Sequence, residues 1–261
     1  MPFAERPDGA RIHWEARGDG PLFVLCSSLT SPPAVYDALL DDLARDHRVV
    51  RWDPRGCGDS TPAGPWDMAT DAGDLEAVVL QAGGAATALG MANGAHHAIR
   101  VAHGRPELVR WVVAPGGVPL PLGSMRDSAG LGGSKSMVEL LLSQARADPR
   151  AALRSMLASA NQQLSEYEVR LRVDEFLAYS SREALIARGE AWAADDVYGP
   201  ARALGDRLVS LPHGTNPWFP REAVRLAREL LPEARIEELD DGPLSRPDLT
   251  AEAVRRLTSS A

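Results

Sequence analysis

Short apolar runs that alternate with helical patterns constrain the fold of this chain more than any other feature. The run Leu22–Cys26 is apolar at every position, which is typical of a strand buried on both faces. Similar runs predict strands at 48–52, 86–90 and 109–114, with helical patterns between them. Strands joined through helices run parallel, because each connection crosses over the sheet. The pattern therefore predicts an α/β fold, a mainly parallel sheet with helices on both faces.

Both ends of the chain extend this sheet. A Pro-Asp-Gly turn divides the segment 2–17 into two short runs, which predicts an antiparallel pair of strands at the start. Near the other end, the patterns at 207–211 and 235–239 predict strands. Helices that begin at Pro220 and Asp248 are expected to follow them, so the strand and helix alternation continues to the last residues.

The middle of the chain has no strand signal and is helical in pattern. Between Gly116 and Gly205, the helical patterns fall at 137–147, 151–163, 165–180 and 182–193. We therefore expect one core α/β domain in two parts, residues 1–117 and 206–261, with a helical cap insertion at 118–205. A length of 261 residues fits a single domain of this kind.

Composition and charge exclude several kinds of partner. The net charge is −8 at pH 7 and the basic residues are scattered among acidic ones, so we expect no nucleic-acid partner. The segment 1–7 is short and polar, without an apolar stretch behind it, which predicts a cytoplasmic location and no membrane partner. Cys26 and Cys57 form no metal-binding pair, and no G-x-G-x-x-G follows a strand, so we expect neither a metal nor a cofactor.

Two motifs and the order of the elements resemble the α/β-hydrolase superfamily over most of the chain. Residues 53–60, with the sequence DPRGCGDS, are similar to that family's D-x-R-G-x-G-x-S turn after the third strand. Residues 90–94, with the sequence GMANG, have the glycine spacing of the G-x-S-x-G nucleophile elbow. The resemblance implies the α/β-hydrolase fold, with the helical insertion in the place of the cap. It also implies three positions for a catalytic triad.

Those three positions hold residues that cannot perform the chemistry of a triad. Ala92 stands at the nucleophile position, and a methyl group cannot attack a carbonyl carbon. Asn216 stands where the resemblance implies the acid, but it lacks the carboxylate that stabilises an imidazolium. Pro243 stands after Gly242, where the resemblance implies the histidine. We therefore expect a pocket without a triad and a protein that is not a hydrolase.

The resemblance also indicates which residues surround the pocket. Ser27 and Ser28 replace the family's His-Gly pair, and without a base beside them we expect them to form hydrogen bonds. The backbone N–H groups of Leu29 and Asn93 occupy positions similar to the oxyanion-hole donors of the family. Aromatic residues in or near the cap can grip a ligand or pack among helices. With Ala92 and Pro243, the predicted pocket then includes Phe176, Tyr179, Trp192 and Trp218.

Two pairs of titratable residues lie near this pocket in sequence. His96 and His97 are neighbours on the helix after the elbow and point about 100° apart, which favours packing over a shared site. Asp240 and Asp241 precede Pro243, where a solvated acidic turn is favoured. The alternative for this acidic pair is a base that acts on an acidic C–H group.

The expected function is a non-hydrolytic reaction in a hydrolase-like pocket. The most direct example is an epimerase of secondary-metabolite biosynthesis that acts at an acidic carbon next to a carbonyl, with a carboxylate of the substrate as base. In fold and in lacking a usable triad, the chain resembles the atypical peptide epimerase of bottromycin biosynthesis, which implies a modified ribosomal peptide as substrate. Two alternatives stay open, namely a catalytically inactive protein that binds a small molecule or peptide, and a cyclase or carbon–carbon bond-forming enzyme.

Overall fold

The computed structural model of the protein describes residues 2–29, 31–117, 140, 142–160, 164–214 and 221–258. Its sheet contains β1 (Phe3–Glu5), β2 (Arg11–Arg17), β3 (Leu22–Cys26), β4 (Arg48–Trp52), β5 (Ala86–Gly90), β6 (Val109–Pro115), β7 (Leu208–Leu211) and β8 (Arg235–Ile236). The strands lie in the order β1-β2-β4-β3-β5-β6-β7-β8. β2 runs antiparallel to β1 and β4, whereas the other neighbouring strands are parallel. The predicted mainly parallel sheet is confirmed.

Helices make most of the connections. A 3-10 turn at Pro33–Tyr36 and α1 (Asp37–Leu43) join β3 to β4, α2 (Met68–Ala82) joins β4 to β5, and α3 (Gly94–Gly104) joins β5 to β6. Between β6 and β7 lie α4 (Pro149–Ala160), α5 (Glu166–Tyr179), α6 (Arg182–Ala194) and α7 (Tyr198–Leu204). The chain continues with α8 (Arg221–Leu230) between β7 and β8, and with α9 (Pro247–Thr258) after β8. We refer to α4, α5 and α6 as the cap helices.

Most predicted strands are confirmed, and the differences fall at the ends of elements. β3, β4 and β5 have the predicted bounds, and the antiparallel pair at the start of the chain is present. The strand predicted at 235–239 was too long, because the chain leaves the sheet after Ile236 and Leu239 makes only an isolated bridge to His213. The helix α7 was not predicted. Part of the predicted cap insertion, residues 118–139, lies outside the described residues.

Local sequence signals fix the helices that approach the site. The side chain of Asp67 accepts a hydrogen bond of 2.8 Å from the backbone N–H of Thr70 and so caps α2 at its first turn. The C-cap of α2 is Gly83, whose φ of 118° is accessible to glycine but strained for other residues. Ser165 and Glu168 form a reciprocal capping box at the start of α5.

Apolar clusters lie on both faces of the sheet, and a separate cluster lies in the cap. One cluster packs β-strand residues such as Val24 and Ala88 against α2 and α3, whereas the other packs Leu25 and Leu89 against α1 and α9. The third cluster includes Phe176 and joins residues of α4, α5 and α6, with Leu29 of the core packed against its edge. The cap helices therefore carry their own small core beside the loop that follows β3.

Candidate active site

The turn between β5 and α3 has the backbone geometry of a nucleophile elbow. Ala92 is held at φ 48°, a left-handed conformation that costs a non-glycine residue about 1–2 kcal/mol, and its side chain is exposed. Gly94 has no room for a side chain, since a Cβ there would overlap the backbone of Cys26 and Ser27. The glycine spacing therefore serves a close contact between the elbow and the end of β3, while the residue at the tip carries only a methyl group.

Asn93 already occupies one of the two hydrogen-bond donors expected at this elbow. The backbone N–H of Leu29 donates to Oδ1 of Asn93 over 2.7 Å. An N–H group requires an acceptor, so this contact also fixes which end of the Asn93 amide is the oxygen. Among the described residues, the backbone N–H of Asn93 has no backbone acceptor. Of the two backbone donors that the resemblance implies, the one on Leu29 is therefore occupied by the protein itself.

Ser28, the second serine after β3, lies beside a buried tyrosine. Ser28 and Ser31 are hydrogen-bonded to the hydroxyl of Tyr36, and burial raises the pKa of Tyr36, so this hydroxyl keeps its proton. Ser27 and Ser28 are both half-buried. Among the described residues, Ser28 and Tyr36 therefore form a partly buried hydrogen-bonding group, and the charge of Arg172 also acts on the Tyr36 hydroxyl.

A second group of residues gathers at the ends of β6, β7 and β8. His213 follows β7, and its ring packs against Gly242 so closely that a Cβ on Gly242 would lie 2.5 Å from Nε2. Gly116 follows β6 with φ 81°, and a Cβ there would lie 3.6 Å from both Nε2 of His213 and Cδ of Pro243. Parallel strands end at one edge of the sheet, so these residues lie on the same edge as Ala92.

The charges around His213 come from the loop after β8. Burial lowers the pKa of His213, and the carboxylate of Asp241 acts in the opposite direction. Asp241 in turn accepts a hydrogen bond of 2.8 Å from the backbone N–H of Gly242. His213 is therefore a neutral imidazole at pH 7 with a carboxylate in the adjoining loop.

His96 attaches the end of α6 to α3. Its Nδ1 lies 2.8 Å from Oδ2 of Asp195, and its Nε2 accepts a hydrogen bond of 3.3 Å from the indole N–H of Trp192. Since an indole can only donate, the tautomer with the proton on Nδ1 satisfies both contacts. Burial works to raise the pKa of Asp195, but hydrogen bonds from His96 and Arg100 outweigh it and leave the pKa lowered. His96 is thus a packing histidine with both nitrogens engaged.

Tyr179 connects α5 to the turn after β4. Its hydroxyl donates a hydrogen bond of 2.9 Å to Oδ1 of Asp53, while Oδ2 of Asp53 lies 2.7 Å from Nδ1 of His13. Burial and nearby negative groups raise the pKa of Tyr179 well above its usual value, so the hydroxyl remains a donor. The carboxylate of Asp53 therefore connects β2 and the turn at residues 53–60 to the cap helix α5.

A buried ion pair joins α6 to α2, close to α3, which is the helix that follows the elbow. Arg188 donates two hydrogen bonds of 2.8 and 3.0 Å to the carboxylate of Asp71, and the side chains of both residues are at most 5% exposed. His97 is buried beside them, and within the described part of the chain neither of its ring nitrogens has a hydrogen-bond partner. Burial lowers the pKa of His97 to about 4, although the Asp71 carboxylate opposes this shift.

The structure brings together some of the predicted pocket residues and assigns others to the cap. Ser27, Ser28, Leu29, Ala92 and Asn93 lie at the ends of β3 and β5. Pro243 is buried next to Gly116, Tyr179 and Trp192 hydrogen-bond to residues of the core, and Phe176 lies inside the cap cluster. Asn216 and Trp218 lie outside the described residues. His213, an ionisable residue just after β7 and near the position where the resemblance implies an acid, was not among the predicted pocket residues.

The described residues contain neither a candidate metal site nor a candidate membrane span. In that part of the chain, the acidic, histidine and cysteine side chains form no group of three or more that could hold a metal ion. Nor does any described helix have the length and apolar character required to cross a membrane.

No protein-family profile matches the chain. Over 82 residues, or 30% of this chain, it is 36% identical to a protein described as "Probable oxidoreductase EphD" from Mycobacterium tuberculosis. A protein of the same description from Mycobacterium bovis matches equally well. The matched segment spans 14% of the length of these relatives, so it compares only a short part of each protein.

Solved structures match the chain over nearly its whole length. An esterase from Exiguobacterium antarcticum has a TM-score of 0.85 and 19% identity, with 99% of each chain covered. A bromoperoxidase from Bacillus anthracis has a TM-score of 0.82 and 19% identity, also with 99% of each chain covered. An enol-lactonase from Burkholderia xenovorans has a TM-score of 0.78 and 18% identity, covering 99% of this chain and 100% of its own. The protein has the α/β-hydrolase fold.

Proposed function

We propose that this protein is a non-hydrolytic enzyme that moves a proton at a carbon next to a carbonyl group, as an epimerase or isomerase does. The observation that supports this proposal is Ala92, which keeps the left-handed backbone of an elbow while presenting a methyl group. Without a nucleophile there is no acyl-enzyme and no hydrolysis through one. The strained backbone still shapes a site at the edge of the sheet where ligands bind in open α/β folds.

Proton abstraction next to a carbonyl requires a donor for the developing oxyanion and a base. The backbone N–H of Asn93 is available as a donor, and that of Leu29 joins it when a ligand oxygen displaces Oδ1 of Asn93. Pro243 contributes no ionisable group at the position where the resemblance implies a histidine. The site therefore supports enolate chemistry better than acyl transfer.

The substrate we propose is a small molecule or modified peptide of secondary metabolism, including a ribosomal peptide whose aspartate α-carbon is inverted. A carboxylate of such a substrate can assist as base. The same proposal places the protein in the cytoplasm, without a cofactor and without nucleic-acid or membrane partners. The net charge of −8 supports the exclusion of nucleic acid.

The proposal is tested by incubating the protein in heavy water with aspartate-containing peptides and with β-keto thioesters, and by following mass and stereochemistry. Deuterium at one carbon, together with the second epimer, is the expected result. Products of changed connectivity would instead identify a cyclase or a carbon–carbon bond-forming enzyme. Hydrolysis of 4-nitrophenyl acetate above the rate with heat-denatured protein would contradict a non-hydrolytic site.

Two alanines allow a matched control for this experiment. Ala92 and Ala85 are both exposed and both have positive φ values, 48° and 56°, but Ala85 lies in the turn before β5. A92F should abolish exchange because it fills the site, whereas A85F imposes similar backbone strain elsewhere and should leave exchange unchanged. Equal exchange in both variants would place the reaction away from the elbow.

A second candidate is a catalytically inactive protein that binds a small molecule or peptide. The observation that favours it is the hydrogen bond from Leu29 to Asn93, which fills half of the oxyanion site at rest. This candidate predicts a thermal shift with a carbonyl ligand and neither exchange nor any new product. Turnover of any of the test compounds rejects it.

A further inference from the structure

The loops after β7 and β8 hold a histidine and a carboxylate in the reverse of the order that the family resemblance implies. That resemblance places an acid after β7 and a histidine after β8, whereas the chain has His213 after β7 and Asp241 in the loop after β8. An isolated parallel bridge between His213 and Leu239 keeps the two loops side by side. The chemical types needed for a histidine–carboxylate pair are therefore both present, on exchanged strands.

The imidazole of His213 is confined by backbone on two sides. Gly242 lies so close that any side chain there would meet the ring at 2.5 Å from Nε2. Gly116 follows β6, the strand next to β5, and faces the same edge of the ring. An ideal Cβ on Gly116 would lie 3.6 Å from Nε2 of His213. Glycine at both positions leaves space for the ring at the edge of the sheet that carries Ala92.

We propose that His213, whose protonated form the nearby Asp241 carboxylate stabilises, is the base that removes the proton in the reaction proposed above. The inference rests on that proposed function and names the residue that carries out its first step. A nitrogen of His213 takes the proton, the electrons of the C–H bond form the enolate double bond, and the carbonyl oxygen gains the negative charge. The imidazolium returns its proton to the face from which it came, or water protonates the opposite face and the resulting hydroxide takes the proton of the imidazolium, so the neutral ring is restored in both cases.

The electrostatic surroundings suit this role. Burial lowers the pKa of His213, so the ring is a neutral imidazole at pH 7, and Asp241 favours the imidazolium that forms when it takes up a proton. Asp241 itself lies within the charge field of Arg246, which also acts on Asp240. Asp241 is a positioning residue, because it acts through His213.

A substrate-independent test uses 5-nitrobenzisoxazole, whose ring opens to a coloured cyanophenolate when a base removes its C3 proton. We expect H213Q to lower the elimination rate by about 10²-fold, as general-base removal typically does. H103Q, which changes an exposed histidine on α3, should leave the rate unchanged. The rate should rise with pH as His213 loses its proton. In D241N the midpoint should move to lower pH, since Asp241 raises the pKa of His213.

Glycine variants distinguish the effect of displacing the His213 ring from a general loss of stability. G242A adds a Cβ that collides with the ring of His213, so it should reduce elimination although the histidine is retained. G214A adds a Cβ that no atom of the described residues approaches within 4 Å, and it should keep the wild-type rate. Circular dichroism of each variant checks that the fold is intact.

The outcomes separate this inference from the proposed function. Elimination that is absent in the wild type, or retained in H213Q, overturns the assignment of the base. Deuterium exchange of a peptide that survives H213Q also overturns it, and leaves the epimerase proposal standing. Elimination that depends on His213, with no exchange in any peptide or thioester, keeps the base and rejects the proposed function.

Discussion

Different kinds of contact stabilise two regions of the molecule. One region is the core, which consists of the sheet and the helices packed on it, and the other consists of the cap helices. Around the sheet, apolar side chains from strands and helices form clusters on both faces. The cap helices have a small apolar cluster of their own, and polar contacts also join them to the core. Among these contacts are Arg188 with Asp71, Trp192 and Asp195 with His96, and Tyr179 with Asp53.

The difference matters because the free-energy cost of removing one side chain differs between the two kinds of contact. Apolar burial is non-directional and roughly additive in area, so a truncated side chain loses its own contribution plus that of a cavity. A buried ion pair loses more when one partner is removed, since the remaining charge has no compensation. The cap should therefore be more sensitive to single polar substitutions than its small apolar cluster suggests.

The largest expected effect is that of Arg188→Met. This variant leaves the buried carboxylate of Asp71 without its partner and should lower the free energy of unfolding by roughly 3–5 kcal/mol. Urea denaturation followed by circular dichroism measures the loss. R182M, at the exposed start of the same helix, should change it by less than about 0.5 kcal/mol. A loss in R188M no larger than in R182M would show that the ion pair does not fasten the cap.

The apolar counterpart is Leu89→Ala at the centre of the sheet. Leu89 is fully buried, and truncation should lower the free energy of unfolding by about 3 kcal/mol through lost burial and a cavity. L80A on α2 is the control, because Leu80 is 52% exposed. Limited proteolysis sharpens the comparison, since R188M should expose the cap helices first and L89A should not. Identical cleavage patterns would argue against separate modes of attachment.

A pH-dependent effect is expected from His97, which is buried with its pKa lowered to about 4. The unfolded chain binds a proton near pH 6.5, whereas the folded chain does not until about pH 4, so stability present above pH 6.5 is lost as the pH falls between these values. Between pH 7 and pH 5 the free energy of unfolding should decrease by about 2 kcal/mol from this residue.

The variant H97L isolates this contribution. It should be less sensitive to pH than the wild type over the same interval, whereas H103L, which changes an exposed histidine of the same helix, should follow the wild type. If H97L and the wild type lose stability in parallel, His97 is not the group that titrates.

The smallest expected effect is that of Tyr179→Phe. It removes one hydrogen bond to Asp53, whose carboxylate keeps His13 as a partner, so the loss should be about 1 kcal/mol. Y167F is the matched control because Tyr167 is 63% exposed on the same helix. Chemical denaturation of the two variants gives the comparison. A larger loss in Y167F would reverse the assignment of Tyr179 as a link between cap and core.

The same contrast explains what could be predicted from sequence. β3, β4 and β5 were predictable because continuous apolar runs report burial on both faces. β8 was predicted too long because Leu239 is apolar, and an isolated bridge leaves the same sequence pattern as a strand. The period of an apolar pattern shows which face of a strand is buried, but it does not show which side chains from distant parts of the chain come together.

The site was predictable only where a motif fixes the backbone. The glycine spacing around Ala92 indicated the elbow, and φ 48° confirms that geometry. The hydrogen bond between Leu29 and Asn93 could not be predicted, because it depends on how an amide side chain is oriented across two loops. His213 and Asp241 become neighbours only through the adjacency of β7 and β8, so each appeared in the sequence as part of a polar turn.

The amide oxygen of Asn93 behaves as an internal competitor for the Leu29 N–H group. Every incoming ligand oxygen has to outcompete a resident acceptor 2.7 Å from that hydrogen-bond donor. A neutral ester or amide carbonyl gains little from the exchange, because it replaces one neutral acceptor with another. A carboxylate or an enolate gains more, because charged acceptors form hydrogen bonds about twice as strong. Under the proposed function, the elbow thus discriminates by acceptor strength, and it favours the charged intermediate over the neutral ground state.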